Sequence, residues 1–326
     1  MLLRTLLVSA LVLIQTGWIS SVSAQTYPSR PVRMIVTFPP GASTDVLARI
    51  LAQRLSERLG NQFLIENRPG ASGVVGVEAA ARATPDGYTL LYATQGSLVL
   101  LPLLVKKLPY DPVRDFVPLA KVADVNLLIA VNAKVPGTTV KELVALSKER
   151  PGGLKFSSAG IGSINHLVME LFAQRTGIVL THIPYKGGAP ATLAAIAGEV
   201  DFFGGSRTLV LKPIEAGQLR GVGVAQSKRS SFLPNVPTMA ELGIPGMEVS
   251  AWYGVVAPTG TPVAIAARLS QTIVEVASTP EYQKLLNANG GEGMPIGGAA
   301  YAAYVTSELA NWRQIIGRSG IQIDEY

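Results

Sequence analysis

Apolar residues recur in two alternating patterns along most of the chain. Short apolar runs such as residues 32–37 are bounded by turn residues and predict buried strands. The segment from Asp45 to Leu59 instead carries apolar residues three and four positions apart, which is the spacing of one buried helix face. Repeated alternation of such strands and helices across short turns predicts mostly parallel sheets covered by helices, an α/β fold.

The alternation runs through two cycles, from residue 32 to about residue 125 and from 127 to 225. From residue 226 the pattern changes to a proline-rich stretch, which two predicted helices near 262–278 and 299–318 follow. We expect this tail to pack back on the first lobe. The predicted organisation is one lobe of residues 25–124 with 226–326 and a second lobe of 125–225. The ligand crevice of such folds lies at the carboxyl ends of the strands.

Residues 1–24 form a separate segment with the pattern of a secretory signal. Arg4 is their only charged residue, an apolar run covers residues 6–14, and small residues precede Gln25. The apolar run is too short to span a bilayer, which requires ~20 apolar residues. We therefore expect cleavage after Ala24 and export of the mature chain to the periplasm.

The composition narrows the possible chemistry. The chain has no cysteine and two histidines, His166 and His182, which argues against thiol catalysis and against a metal site rich in Cys or His. The net charge is +6, but no basic run is interleaved with aromatic residues, so nucleic-acid binding is not expected. A mild positive field still favours anionic ligands. We expect a monomer that needs no cofactor and no metal.

Two enzyme-type motifs are absent or incomplete. The glycines of residues 70–76 follow the spacing GxxGxxG, whereas dinucleotide sites use GxGxxG. The sequence contains no GxSxG, the motif of the serine hydrolases with a nucleophile elbow. A secreted hydrolase of carboxylic esters or amides remains an alternative to a binding protein, but local spacing suggests no catalytic group for it.

The first candidate site is the turn of residues 38–45, which joins the first predicted strand to its helix. Such a turn presents backbone N–H groups and short hydroxyl side chains at the positive end of a helix, an arrangement that binds anions. We expect Ser43 or Thr44 to cap the helix, and Asp45 to accept a hydrogen bond from a ligand or from water. An ordinary capped helix explains this turn equally well.

A second turn of the same kind, residues 157–163, favours the binding-site interpretation. Two helix starts of this composition in successive lobes suit one shared anion, best a carboxylate. A third turn at residues 204–207 adds Arg207, whose guanidinium suits a second carboxylate, although a surface position is equally compatible. The candidate ligand-binding residues are Pro40, Gly41, Ala42, Ser43, Thr44, Asp45, Ser97, Ser158, Gly160, Gly162, Ser163, His166, Gly205, Ser206 and Arg207.

Several longer motifs resemble those of one protein family. They are PPGASTD at residues 39–45, ENRPG at 66–70, PDGYTLL at 85–91, LPYDPVRDF at 108–116, SAGIGSINHL at 158–167, HIPYKG at 182–187, NVPTMA at 235–240 and APTGTP at 257–262. Together they resemble the Bug-type extracytoplasmic solute receptors of tripartite tricarboxylate transporters. The resemblance implies a two-lobed periplasmic binding fold that closes over a small carboxylate and delivers it to membrane permease subunits, without catalysis. A role in feeding a signalling partner is a further alternative.

In that family, loops corresponding to residues 39–45 and 158–166 hold one carboxylate. This chain departs from the family pattern at two points. Ala42 replaces the usual second glycine of the first loop, and Gly205-Ser206 followed by Arg207 replaces an Asp-Asn pair. Loss of a carboxylate and gain of a cation favour a di- or aromatic carboxylate over an amino acid as the ligand.

Overall fold

The computed structural model of the protein describes residues 27–230, 232–293 and 295–319. The predicted signal segment and its cleavage point lie outside these residues. Ten strands occur in the described part of the chain. They are β1 Val32–Val36, β2 Phe63–Asn67, β3 Thr89–Thr94, β4 Phe116–Asn132, β5 Leu154–Ser158, β6 Leu180–Pro184, β7 Phe202–Ser206, β8 Leu219–Val224, β9 Ser250–Pro258 and β10 Ile296–Gly297.

Helices connect and cover these strands. They are α1 Ser43–Leu59, α2 Val74–Ala81, α3 Leu101–Leu104, α4 Val140–Glu149, α5 Ile164–Thr176, α6 Gly188–Ala197, α7 Arg207–Glu215, α8 Val263–Ala277, α9 Pro280–Ala288 and α10 Gly298–Ser319. Their ends follow local chemistry. Helix α4 begins with a capping box between Thr139 and Glu142, and α1 ends at Gly60, whose φ of 70° suits glycine.

The strands hydrogen-bond in the order β2-β1-β3-β9-β4-β7-β5-β6, and β8 and β10 also pair with β4. The pairs β1–β2, β1–β3, β5–β6 and β5–β7 are parallel. Strand β9 lies antiparallel between β3 and β4, and β4 is antiparallel to β7 and β8. Each predicted parallel group is therefore completed by antiparallel strands.

The long strand β4 joins the two groups of strands. Its first part pairs with β9, ending with Asn126 opposite Ser250, and its last part pairs with β7 from Leu127 onward. Of this stretch the sequence predicts only residues 127–131 as strand, so that prediction is too short, whereas the irregular bridge predicted at 108–112 does precede β4. The predicted turn at 204–207 is also wrong, because Gly204 to Ser206 belong to β7. Helix α9 was not predicted.

Apolar side chains form two buried clusters. The larger contains the faces of β1, β3, β4 and β9, with Trp252 and Phe156 among its largest members. The smaller contains Leu128, Phe203 and Val224. Leu233 and Val236 from the proline-rich stretch also pack in this smaller cluster, so part of the chain beyond residue 226 contacts the second group of strands. In the described part of the chain, no helix has the length and apolar character required to cross a membrane.

Candidate functional site

A cavity of about 70 Å³ lies between the two groups of strands. At ~10–15 Å³ of such volume for each water molecule, this cavity holds about five to seven waters. None of the described residues that line it has a charged side chain. The lining residues are Phe38, Ala42, Ser43, Thr44, Ser72, Thr94, Gln95, Gly96, Val125, Leu127, Ala159, Gly162, Ser163, Ile164, Asn165, Gly188, Ala189, Ser206, Leu209, Ala251, Trp252 and Tyr253.

Four helices begin at this cavity: α1, α5, α6 and α7. The first N–H groups of a helix have no intrahelical partner, and the aligned peptide dipoles give this end a partial positive charge. Ser43 and Thr44 open α1, Ile164 and Asn165 open α5, and Gly188 opens α6. Neutral donors therefore surround a cavity that contains no charged side chain.

The start of α1 explains how an alanine fits in the first loop. Ala42 is the N-cap, with φ −66° and ψ 155°, and no side chain caps the helix. The left-handed conformation falls instead on Gly41, whose φ is 81°. The methyl group of Ala42 therefore causes no backbone strain. The prediction that Ser43 or Thr44 caps the helix is wrong, because both are helical residues.

Asp45 supports the first loop from behind and is not among the residues that line the cavity. Its Oδ2 accepts from the N–H of Gly41 at 2.9 Å and from Arg49 Nε at 3.0 Å, and its Oδ1 accepts from Asn67 Nδ2 at 2.8 Å. Burial acts to raise the pKa of Asp45, but the hydrogen bonds from Arg49, Gly41 and Asn67 outweigh it and hold the pKa below its usual value. Both oxygens of the Asp45 carboxylate therefore accept hydrogen bonds from the protein itself.

The start of α5 has the same plan. Ser163 is the N-cap, with φ −69° and ψ 156°, and its hydroxyl accepts from the N–H of His166 at 3.3 Å. The N–H of Gly162 donates to Nδ1 of His166 at 3.2 Å. Gly162 and Ser163 line the cavity, whereas His166 lies behind them and is 6% exposed. His166 therefore holds the loop, as Asp45 does in α1.

Two further residues of this loop have structural partners. Ser158 is fully buried, and its hydroxyl lies 2.6 Å from Nε2 of His182. Gly160, with φ 131°, lines an outer cavity beside the first. A Cβ added to Gly160 would lie 2.9 Å from the hydroxyl of Ser72 on the opposite wall, so this close approach requires glycine.

Hydroxyl groups connect the two sides of the cavity at its α1 and α7 ends. The hydroxyl of Ser43 lies 3.3 Å from that of Ser206 and 3.1 Å from that of Thr208. Ser206 is the N-cap of α7 but makes no side-chain cap. These three hydroxyls can exchange hydrogen bonds with one another or offer them to a ligand.

Arg207 is directed away from this cavity. Its guanidinium stacks on the ring of Phe232 at 3.7 Å and hydrogen-bonds to the carbonyl of Asn287, and it lines a separate cavity. Gly205 lies within β7, paired with Leu128, and does not line the cavity. Arg207 therefore does not place a cation opposite the loop of residues 39–45, as the sequence had suggested.

The remaining predicted residues lie at the edge of the site. The hydroxyl of Ser97 is buried and bonds within its own turn, accepting from the N–H of Thr94 at 3.0 Å and donating to its carbonyl at 2.8 Å. Thr94 and its neighbours Gln95 and Gly96 line the cavity in its place. Pro40 and Gly41 do not line it, although they shape the turn that presents Ala42.

Sequence reasoning missed the wall supplied by β4 and β9. Val125 and Leu127 of β4, and Ala251, Trp252 and Tyr253 of β9, line the cavity. These side chains give it one apolar wall. These residues lie on β4 and β9, which pass between the two groups of strands. They are not part of a turn, so a search for turn motifs in the sequence does not find them.

A partly buried carboxylate fixes part of this wall. Glu308 Oε2 of α10 accepts from Nε1 of Trp252 at 3.0 Å and from Nε2 of Gln95 at 2.6 Å. Helix α10, from the end of the described chain, thus orients side chains of the cavity.

The outer cavity, of about 510 Å³, shares Phe38, Ser72 and Ala159 with the inner one. Its walls are residues 37–39 and 69–73 on one side and residues 159–161 and 184–187 on the other. Lys186 is exposed and is the charged residue among the described residues of the two linings. A ligand that passes through the outer cavity therefore meets the positive charge of Lys186.

Comparison with known proteins gives a consistent result. The model of the tripartite tricarboxylate transporter family receptor, TctC, matches residues 47–321 of the chain. Protein BugT of Bordetella pertussis is 37% identical over 321 residues, which are 98% of this chain and 98% of that protein.

Solved structures agree with the sequence comparison. R. palustris Rpa4515 with adipate has a TM-score of 0.85 at 35% identity, covering 91% of this chain and 99% of that one. The periplasmic binding protein BugD has a TM-score of 0.83 at 33% identity, covering 91% and 99%. MatC from Rhodopseudomonas palustris with bound malate has a TM-score of 0.82 at 28% identity, covering 89% and 100%. The predicted α/β, two-lobed periplasmic binding fold is confirmed.

Proposed function

Because the chain belongs to the receptor family of the tripartite tricarboxylate transporters, we propose that it captures a small organic carboxylate in the periplasm and delivers it to the permease subunits of such a transporter. The observation that carries this proposal is the convergence of four helix starts on a cavity without charged side chains. Helix N-termini stabilise anions through free N–H groups and dipoles.

The ligand we propose is a di- or aromatic carboxylate. One carboxylate is held by the starts of α1 and α5, through the N–H groups of residues 43–44 and 164–165. The apolar wall of Val125, Leu127 and Trp252 receives the body of the ligand. A second carboxylate, where present, meets the hydroxyls of Ser206 and Thr208 and the start of α7 instead of Arg207. Relatives solved with adipate and with malate support a dicarboxylate.

The mechanism we propose is closure of two lobes, residues 25–124 with 226–326 and residues 125–225, without covalent chemistry. The junction of β4 and β9 near Asn126 and Ser250 suits a hinge, since β4 changes partner there. In the closed arrangement, Ser43 contacts Ser206 and Thr208 across the cavity. We also propose that residues 1–24 direct export of the chain and that the mature protein is a monomer.

A binding panel tests this function. The purified mature chain is heated with benzoate, adipate, L-malate, citrate, L-aspartate or L-glutamate, and its unfolding temperature is measured. A ligand at about 100 times its Kd stabilises the fold by about 2.7 kcal/mol, a rise of about 5 °C for a chain of this size. We expect this rise with at least one non-amino-acid carboxylate, with one-to-one stoichiometry by calorimetry and no turnover.

A charge variant makes the panel specific for the site. Ser43→Asp places a negative charge at the start of α1, where it suits the helix dipole but repels a carboxylate. We expect binding to be lost while thermal stability is kept. Ser307→Asp is the matched control, because Ser307 is exposed on α10 away from the cavity. Binding of amino acids alone, or steady hydrolysis of an ester, would overturn the proposal.

A further inference from the structure

Gln95 is a buried amide in the wall of the inner cavity, and its acceptor atom has no partner. The residue directly follows β3, lines the cavity and is 2% exposed. Its Nε2 donates to Oε2 of Glu308 at 2.6 Å. Its Oε1 is buried, and no group in the described part of the chain donates a hydrogen bond to it. Most buried side-chain polar atoms in proteins have a partner, so this oxygen requires an explanation.

Glu308 fixes which end of the Gln95 amide lacks a partner. An ionised carboxylate accepts hydrogen bonds and does not donate them. The NH₂ group of Gln95 must therefore face Glu308, and the amide oxygen must face elsewhere. The same Oε2 of Glu308 also accepts from Nε1 of Trp252 at 3.0 Å. Helix α10 thus engages a donor of each of these two cavity-lining side chains, and what Gln95 leaves without a partner is an acceptor.

The other polar groups of the cavity differ from this oxygen. The helix starts of α1 and α5 supply N–H donors without intrahelical partners. The hydroxyls of Ser43 and Ser206, which lie 3.3 Å apart, can each donate or accept. An amide oxygen only accepts. The cavity therefore combines donors that suit a carboxylate with one acceptor, at Gln95, that a carboxylate cannot satisfy.

The missing partner of Gln95 is a hydrogen-bond donor that a ligand brings into the cavity. Either an O–H or an N–H group satisfies an amide oxygen. An ammonium group, however, needs a counter-charge when it leaves water, and no described residue of the lining has a charged side chain. Glu308 does not line the cavity, and its Oε2 is already shared by Gln95 and Trp252. A neutral hydroxyl group has no such requirement and fits this oxygen better.

We propose that the ligand is a hydroxycarboxylate whose hydroxyl group donates to Oε1 of Gln95, and that Glu308 is the positioning residue that holds the amide in this orientation. The inference rests on the proposed function, in which the starts of α1 and α5 hold the carboxylate. It narrows the di- or aromatic carboxylates to those that carry a hydroxyl group. A ligand without this group leaves the buried oxygen unpaired, and sites of this kind discriminate against such analogues.

Pairs of acids that differ by one hydroxyl group test the proposal on the wild-type chain. The Kd is measured by calorimetry for L-malate against succinate, for each enantiomer of mandelate against phenylacetate, and for citrate against propane-1,2,3-tricarboxylate. We expect the hydroxy acid of at least one pair to bind about tenfold more tightly, the effect of one hydrogen bond to an acceptor that is otherwise unpaired. Equal affinities within every pair that binds, or preference for the acid without the hydroxyl group, overturn the proposal.

A variant of Gln95 assigns the preference to this residue. Gln95→Met removes the acceptor and nearly keeps the length of the side chain, so the two affinities of a pair should become nearly equal. Gln271→Met is the matched control, because Gln271 is exposed on α8 and its amide also donates to a glutamate, Glu275, at 2.9 Å. The control should keep the wild-type preference. A preference that persists in Gln95→Met contradicts the proposed contact.

A variant of Glu308 tests the positioning role. The amide of Glu308→Gln can donate as well as accept, so the Gln95 amide is free to turn and present its NH₂ group in place of its oxygen. We expect the preference for the hydroxy acid to fall at least threefold. The double variant with Gln95→Met should show no further decrease, because both changes act on one contact. An unchanged preference in Glu308→Gln overturns the positioning role, which a loss of stability alone does not reproduce.

The acids also separate failure of this inference from failure of the proposed function. If neither member of any pair binds and the wider carboxylate panel is also silent, both fail. If acids with and without the hydroxyl group bind equally, the proposed function stands and the contact with Gln95 is wrong. Tighter binding of L-aspartate than of L-malate identifies the donor as an ammonium group and also overturns the inference. The wild-type comparison decides these outcomes even if Gln95→Met does not fold.

Discussion

The backbone N–H of Gly41 donates to Oδ2 of Asp45 across the first turn of α1, at a distance of 2.9 Å. The same relationship recurs between Gly162 and His166 in α5. In each case a glycine with positive φ precedes the N-cap, and the third helical residue supplies the acceptor. The two sides of the cavity are therefore built on one local plan with different acceptors.

Asp45 should be important for stability although it does not line the cavity. Asp45→Ala leaves the N–H of Gly41 without its acceptor and removes one of the two acceptors of Asn67 Nδ2. Hydrogen bonds to charged groups contribute about 1.5–3 kcal/mol each, so we expect a loss of about 2–3 kcal/mol in the free energy of unfolding. Urea denaturation measures this loss. Glu57→Gln, which breaks an exposed pair with Arg54, should change stability much less, because exposed ion pairs contribute little.

Ala42 is a position where stability can be gained without loss of binding. Ser163 has the same backbone conformation and caps α5 through its hydroxyl, whereas α1 has no side-chain cap. Ala42→Ser should add about 1 kcal/mol of stability, measured by denaturation. The N–H groups of Ser43 and Thr44 stay free, so carboxylate affinity should change less than about twofold. Ala42→Val, which offers no acceptor, should show no gain, and a gain of equal size there would refute the capping explanation.

His182 should make the fold less stable in acid. Its pKa is lowered from 6.5 to about 3 in the folded chain, first by burial and then by His166. Below about pH 6.5 the unfolded chain binds a proton that the folded chain does not bind, so stability falls as the pH drops toward 3. After discounting for partial exposure of the ring, we expect a loss of about 1 kcal/mol between pH 8 and 5. Thermal unfolding of His182→Gln should lack this part of the slope, and identical slopes would contradict the assignment.

Lys186 should accelerate the capture of anions. It is the charged residue of the described lining of the outer cavity. Exposed charges steer ligands of opposite charge, and this steering weakens as salt screens the charges. Lys186→Gln should lower the association rate about two- to fivefold at low salt and leave the dissociation rate nearly unchanged. Stopped-flow fluorescence of Trp252, which lines the inner cavity, measures both rates. Lys148→Gln, an equal change of charge on α4, should have no comparable effect, and a decrease that persists at high salt would argue against steering.

The sequence predicts the local elements well because their hydrophobic periodicity is strong. The helix predicted from Asp45 to Leu59 spans Ser43–Leu59, and the strand predicted at 32–37 spans Val32–Val36. The two Gly- and Ser-rich helix starts are indeed brought to one cavity. The element boundaries and the two helix starts can be predicted because each depends on residues that are close together in the sequence.

Other parts of the site depend on contacts between distant segments. Tyr253 reaches the cavity because β9 inserts between β3 and β4 from the far end of the chain, which no local pattern reports. Arg207 turns away because Phe232 and the carbonyl of Asn287 receive it. Asp45 is bonded to Asn67 from the next strand. Such partners become visible only once the strands are assembled.

The uncharged lining also determines the charge of the complex. The described lining has no Asp, Glu, His, Lys or Arg that could take up a proton when a carboxylate binds, so under the proposed function the ligand keeps its full charge in the complex. The loaded receptor is consequently more negative than the empty one by the valence of its cargo. Native electrophoresis or ion exchange can therefore separate the two forms without a label.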